Sequence, residues 1–317
     1  MAGAAALLVA GGLALTGCSG STPPGARPAL QSPAATSGRR IRLVVLSEAH
    51  RTLASRIGGH CVVVDLLPSD PGGNPELPPP RAALLAMQNA DRILLNGEFQ
   101  EPWLDKVSLP QEKVVELSAG WDDHHHGAPE GSVHRHGPTG APHSHGAPTL
   151  PWLDLDVAMH QVEKLRDALQ AAVPAEAAAF HQRADALLAD LGALDRAYDA
   201  IASKLSSRSI LTAGGELSAF RHRYAPGAHQ LRERPGGEAE LFLQEIDRQP
   251  HSRGALLLLS QPLPKPLLEP LRSRGVTPVV LKTGRSTGGA GDYLAQLHSN
   301  ASTLNHALAS TGAAQPR

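Results

Sequence analysis

The sequence predicts an α/β protein of two lobes, each built on a mostly parallel sheet and joined by a long rigid helix. Three observations carry this reading. Short apolar runs alternate with helix-like stretches from residue 41 to 118, the alternation restarts near residue 209, and the segment between keeps a helical apolar period over about thirty residues.

In chain order, the first lobe (41–173) offers the runs IRLVVLS (41–47), VVVDLL (62–67), RILLNG (92–97) and VVELS (114–118) as strands. Helix candidates at 49–58, 79–90 and 99–106 separate them. The linking helix (174–205) follows. Pro174 suits its first turn, and Phe180, Ala184, Leu187, Leu188, Leu191, Leu194, Tyr198, Ile201 and Leu205 recur at three- and four-residue spacing. Such a helix spans about 45 Å, enough to cross both lobes, and leaves less room for hinge closure than several flexible crossings would. The second lobe (206–317) offers SILTAG near 209, ALLLLSQ (255–261) and TPVVLK (277–282), with helix candidates at 237–249, 265–274 and 291–311.

Ahead of the lobes, residues 4–15 (AAALLVAGGLAL) have the length of a secretory apolar region and are too short for a membrane span. They run into Leu15-Thr16-Gly17-Cys18, which resembles a bacterial lipoprotein cleavage box, so residues 1–18 read as a lipoprotein signal with Cys18 as the lipidated residue. Residues 19–40, rich in Ser, Pro, Gly and Ala, read as a flexible tether reaching roughly 25 Å. Cys61 is then left without a disulfide partner and is expected to be a small buried residue at a strand start.

Composition narrows function. Lys and Arg number 29 against 30 Asp and Glu, a net charge of −1 that removes the electrostatic basis for general nucleic-acid binding. Aromatic residues make up only 3%, yet the 16 His outnumber Phe, Tyr, Trp and Met together. Seven of them, His124, His125, His126, His134, His136, His143 and His145, crowd into residues 122–146 among Gly, Pro, Ser and Ala. That segment has neither helical nor strand period and reads as a mobile loop. Neutral imidazole is a favoured ligand for Zn²⁺, so the loop is expected to bind metal weakly, in several arrangements, and to release it as pH falls through about 6.5. Asp122 and Asp123 add carboxylate oxygens.

Other residues read more plainly. His160 is expected on the exposed face of a helix, His222 at the surface between Arg221 and Arg223, and His50 and His60 in structural roles without companion donors. Phe220 and Tyr224 read as core aromatics. The stretch Thr283–Gly291 lacks the Gly-Lys-Ser/Thr ending of a phosphate loop and reads as a mobile loop. No His-Glu-x-x-His occurs, and no enzyme is expected.

The order of features resembles the cluster A-I solute-binding lipoproteins of bacterial ABC importers for zinc and manganese. The resemblance rests on Val44-Val45-Leu46-Ser47, Ile57-Gly58-Gly59, Val64-Asp65-Leu66-Leu67-Pro68-Ser69, Ala90-Asp91-Arg92-Ile93-Leu94-Leu95-Asn96-Gly97, Glu98 to Leu104, the His-rich insert, Pro151-Trp152-Leu153-Asp154 and Asp292-Tyr293-Leu294. It implies a monomer anchored by lipid in the periplasm or at the cell surface, which hands Zn²⁺, with Mn²⁺ as the other family cargo, to an ABC permease of the inner membrane. It also implies an interlobe metal site. Carried over by position, the family's ligands fall on Glu76, Leu150, the stretch Ala213–Glu216 with Glu216 as its donor, and Lys282. Leu150 and Lys282 cannot ligate, so one expectation is that Lys282 replaces the cation by pairing with Glu76 or Glu216. The alternative function is a degenerate paralogue without an interlobe site, serving as a surface interaction, adhesion or metal-buffering lipoprotein.

Overall fold

Each lobe is a four-stranded parallel sheet with the same strand order. A computed structural model describes residues 39–67, 77–97, 101–121, 133–134, 143–144, 150–232, 235–285 and 291–312, all within one compact unit that begins at Arg39. The first sheet runs β2-β1-β3-β4, from β1 (Ile41–Val45), β2 (Val62–Leu66), β3 (Arg92–Leu95) and β4 (Val114–Glu116). The second runs β10-β9-β7-β8, from β7 (Ile210–Ala213), β8 (His229–Leu231), β9 (Leu256–Leu259) and β10 (Thr277–Val280). Counted from each lobe's first strand, both orders are 2-1-3-4.

Apolar residues on both faces suit the central strands, such as β1 and β9, to buried positions in a parallel sheet. Leu43 and Val45 of β1 face a large shared core, while Val44 and Leu46 face a smaller one with Met87 and Trp103. The second sheet repeats the pattern, with Leu256 and Leu258 in the shared core and Leu257 and Leu259 in a satellite with Phe242 and Leu271. α1 (Glu48–Gly58) joins β1 to β2 and α2 (Arg81–Asn89) precedes β3. In the second lobe α6 (Ala239–Arg248) precedes β9 and α7 (Lys265–Ser273) precedes β10.

The middle layer holds the lobes together. α3 (Leu155–Ala172) starts at Asp154, whose carboxylate accepts from the Asp156 amide at 3.0 Å, and α4 (Ala177–Leu205) follows a 3-10 turn at Pro174–Glu176. On α4, Phe180, Ala184, Leu187, Leu191, Leu194, Tyr198, Ile201 and Leu205 are buried, the stripe expected from the sequence. Each large apolar side chain so placed contributes about 1.5–3 kcal/mol through removal of its surface from water. The same stripe meets residues of both sheets in one continuous core, and α8 (Tyr293–Gly312) packs alongside it, with Tyr198 donating to the Leu297 carbonyl at 2.8 Å. α5 (Ser218–Tyr224) supplies Phe220 and Tyr224 to that core, as expected.

Three sequence expectations require correction. The helix expected over 99–106 is, among the described residues, only a 3-10 turn at Leu104–Lys106. β8 and α5 were not anticipated: β8 is a polar three-residue edge strand and α5 spans two turns, both too short for a periodic signal. Within 122–146, where no strand is expected, β5 (Val133–His134) and β6 (His143–Ser144) pair antiparallel over two residues each. Among the described residues no helix is long and apolar enough to cross a membrane.

Candidate functional site

In a parallel sheet of order 2-1-3-4 the direction of winding reverses between the first and third strands, and ligand sites form outside the C-terminal strand ends there. In the first lobe β1 exits there into Leu46-Ser47 and β3 into Asn96-Gly97, and in the second β7 exits into Gly214-Gly215-Glu216. The segment after β10 then crosses to the first lobe.

That crossing is closely packed. The Ser47 and Arg285 backbones form an antiparallel bridge, and the Ala49 amide donates to the Gly284 carbonyl at 3.0 Å. Trp152 Nε1 donates to the Thr283 carbonyl at 2.6 Å, and the Tyr293 hydroxyl donates to the Trp152 carbonyl. Gly284 has φ of +69°, and a Cβ there would meet Trp152 Nε1 at 3.0 Å and Ala49 Cβ at 3.2 Å, so conformation and space both call for glycine. The expectation of a mobile loop from Thr283 onward therefore fails for Thr283, Gly284 and Arg285, because the junction supplies their backbone partners. Residues 286–290 lie outside the described ones.

Charge at the junction is already balanced. Glu216 and Arg285 are ion-paired with side chains only 17% and 23% exposed. Glu48, buried in the first turn of α1, accepts from Arg51 Nε at 3.0 Å. Glu101 is buried and accepts from the Gly97 amide at 2.9 Å and from the Asn96 amide and side chain, both at 3.1 Å. Burial pushes the Glu101 carboxyl up to about 7, against the pull of these hydrogen bonds. Gln161 extends the network, donating to Asn96 Oδ1 at 3.1 Å and Ser118 Oγ at 3.0 Å.

His50 lies in this layer, edge-on to Trp152 with ring centroids 5.1 Å apart. Burial pushes its pKa down to about 4, with Gln161 pulling the other way, so the ring is neutral at pH 7. Its Nε2 and Gln161 Oε1 have no hydrogen-bond partner among the described residues. The structural role expected of His50 is thus that of a buried neutral imidazole.

The expected metal-binding and lipidation residues divide sharply. Cys18, Glu76 and five of the loop histidines, His124, His125, His126, His136 and His145, lie outside the described residues. His134 and His143 are backbone partners across β5 and β6. The described residues flanking the His-rich segment are packed. Before it, the Trp121 and His160 rings lie tilted to one another with centroids 5.4 Å apart and the Ala119 carbonyl meets the His160 ring at 3.0 Å; after it, Leu150 is buried. His160 is thus half-buried rather than exposed, because it braces that first end. Lys282 is exposed and its backbone exchanges two hydrogen bonds with Asn300, so the expected partner of Glu216 is replaced by Arg285. The cause is pleat: Leu281 points into the core and the next side chain points out. His60, read as lacking companions, stands beside Cys61 and Glu176, and Cys61 is half-buried rather than buried.

A second polar cluster clamps the layers. Arg223 of α5 reaches Asp195 and Asp199 of α4, both at 3.1 Å, and Asp156 of α3 at 3.4 Å. Tyr224 donates to Asp195 at 2.6 Å. These contacts, like the Glu216–Arg285 pair, join residues far apart in sequence and leave no local pattern to read.

Comparison with known proteins agrees with this architecture. The family described as Zinc-uptake complex component A periplasmic (ZnuA) matches residues 45–307. The zinc-binding lipoprotein AdcA of Streptococcus pneumoniae serotype 4 is 30% identical over 171 residues, 50% of this chain and 32% of that protein. Among solved structures, Zn(II)-bound AdcA from S. pneumoniae superposes with a TM-score of 0.62 at 21% identity, covering 86% of this chain and 58% of that one. The metal-dependent lipoprotein YcdH from Bacillus subtilis does so with 0.66 at 18%, covering 84% and 99%. These superpositions show a shared fold. The chain spans about a third of the length of the curated relatives it matches.

Proposed function

The chain belongs to the zinc-uptake component A family of metal-binding solute-binding proteins, carriers rather than enzymes, and from that premise we propose that it captures zinc outside the cytoplasmic membrane for an ABC permease. The observation that carries the mechanism is the crowding of seven His into residues 122–146. The described residues on either side of that segment belong to the first lobe, with Trp121 against His160 and Leu150 buried. Within the junction the described carboxylates already have partners, Arg51 for Glu48, three N–H donors for Glu101 and Arg285 for Glu216. The segment is therefore the first point of capture.

Seven imidazoles on one segment hold more than one ion, with fast exchange suited to hand-off. Zinc is favoured over manganese because imidazole suits Zn²⁺ and carboxylate oxygen suits Mn²⁺. Lipidation at Cys18 and the tether 19–40 would keep the carrier beside the permease as a monomer. The lobes 41–173 and 206–317, bridged by 174–205, act as one rigid platform.

The Glu216–Arg285 pair supports a second reading, in which the junction is permanently metal-free and the chain buffers zinc or docks on a surface partner. Growth under zinc chelation separates the two. The carrier reading expects a strain lacking the chain to grow poorly until zinc is restored. Unchanged growth of that strain, with the permease intact, contradicts it.

A further inference from the structure

His60 and Cys61 end the 3-10 turn Gly59–Cys61 between α1 and β2. Val62 pairs with Ile41, so this turn lies at the N-terminal edge of the first sheet, the end of the lobe away from Ser47 and the junction. Glu176 arrives there from the turn that opens α4.

One ligand atom from each of His60, Cys61 and Glu176 lies within 4.8 Å of the other two, and His60 Nε2 stands 3.6 Å from Cys61 Sγ. A tetrahedral Zn²⁺ with ordinary Zn–S and Zn–N bonds holds those two ligand atoms about 3.5 Å apart. The spacing therefore fits an ion with little movement of the first two donors.

The surrounding structure aims the groups. Gly59 turns the chain with φ of +55°. Arg183 of α4 fixes the turn by donating to the Ile57 carbonyl at 2.6 Å and the Gly58 carbonyl at 3.3 Å. Glu176 occupies the N-cap position of α4 yet its side chain makes no capping bond, leaving the carboxylate to the cluster.

We propose that His60, Cys61 and Glu176 form a second metal site, separate from the His-rich segment and the junction, that takes a borderline-soft divalent ion such as Zn²⁺. Thiolate and imidazole select against Mg²⁺, Ca²⁺ and Mn²⁺, which prefer oxygen donors. On binding, the Cys61 thiol loses its proton to solvent, and three protein ligands leave a fourth position for water. An ion held there clasps the β2 end of the first lobe to the linking helix.

The test uses the full chain carrying C18S, so that Cys61 is the only thiol, titrated with Co²⁺. The His-rich segment contains no sulfur, so a thiolate-to-cobalt charge-transfer band reports this site alone. The band should appear, saturate at one thiolate per chain, disappear in C61S and need about tenfold more cobalt in His60→Ala and Glu176→Gln. Excess Zn²⁺ should remove the band and slow alkylation of Cys61 about tenfold. Absence of the band from the folded chain, a band unaltered in H60A and E176Q, or alkylation indifferent to zinc would each overturn the proposal.

Discussion

Arg285 holds the Glu216 carboxylate while its own backbone pairs with Ser47, so a single residue ties the exit of β7 in one lobe to the exit of β1 in the other. These are the strand ends where a sheet of this order places ligands. The guanidinium cation thus supplies positive charge at these strand ends.

Arg285→Ala should lower stability by about 1–3 kcal/mol in urea unfolding, since Glu216 is left mostly buried without its donor. Arg285→Lys should recover only part of the loss, because an ammonium lacks the planar fork.

Arg223 faces Asp154, Asp156, Asp195 and Asp199 and so clamps α3, α4 and α5 together. Arg223→Met should cost about 2–4 kcal/mol at pH 7, because carboxylates such as Asp195 stay buried without a counter-charge. The cost should be smaller at pH 5, below the Asp154 carboxyl, which burial pushes up to about 6. Urea midpoints at the two pH values measure this.

Glu101 and His50 give opposite pH slopes. The folded-state pKa of Glu101 is raised from 4.5 to about 7, so its contribution is fully present below pH 4.5 and is lost as pH rises through 7. That of His50 is lowered from 6.5 to about 4, so its contribution is present above 6.5 and lost as pH falls toward 4. Relative to wild type, Glu101→Gln should therefore gain about 3 kcal/mol of stability between pH 4 and pH 8, and His50→Gln should gain a similar amount in the reverse direction. A difference that does not change with pH in either variant contradicts the assignment.

Gly284→Ala should destabilise by about 1–3 kcal/mol, read as a fall in the thermal midpoint. The new Cβ strains a left-handed backbone and crowds Trp152 and Ala49.

The architecture was readable because burial writes itself into local pattern. Strands apolar on both faces, such as Leu256–Leu259, and the three- and four-residue stripe from Phe180 to Leu205 gave the two lobes and their linking helix. β8 escaped because His229-Gln230-Leu231 is a polar edge with a single inward residue. The junction escaped for another reason. Arg285 meets Glu216, and Glu176 meets His60 and Cys61, only after folding, and neither encounter follows any sequence period. Lys282 had the right charge at nearly the right place, but strand pleat turned it outward. The His-rich segment was evident from composition alone, and only its attachment points at Trp121 and Leu150 needed coordinates.

The central claim is that zinc is first held by residues 122–146 and not by the interlobe junction. Calorimetric titration of Zn²⁺ at pH 7.5 into the C61S chain, with and without residues 122–146, tests it most directly, since C61S removes the thiol ligand of the second site. The longer chain should bind more than one ion, more weakly as pH falls through about 6.5, and the shorter one should lose that binding. Tight one-to-one binding retained without the segment and abolished by Glu216→Gln would contradict it.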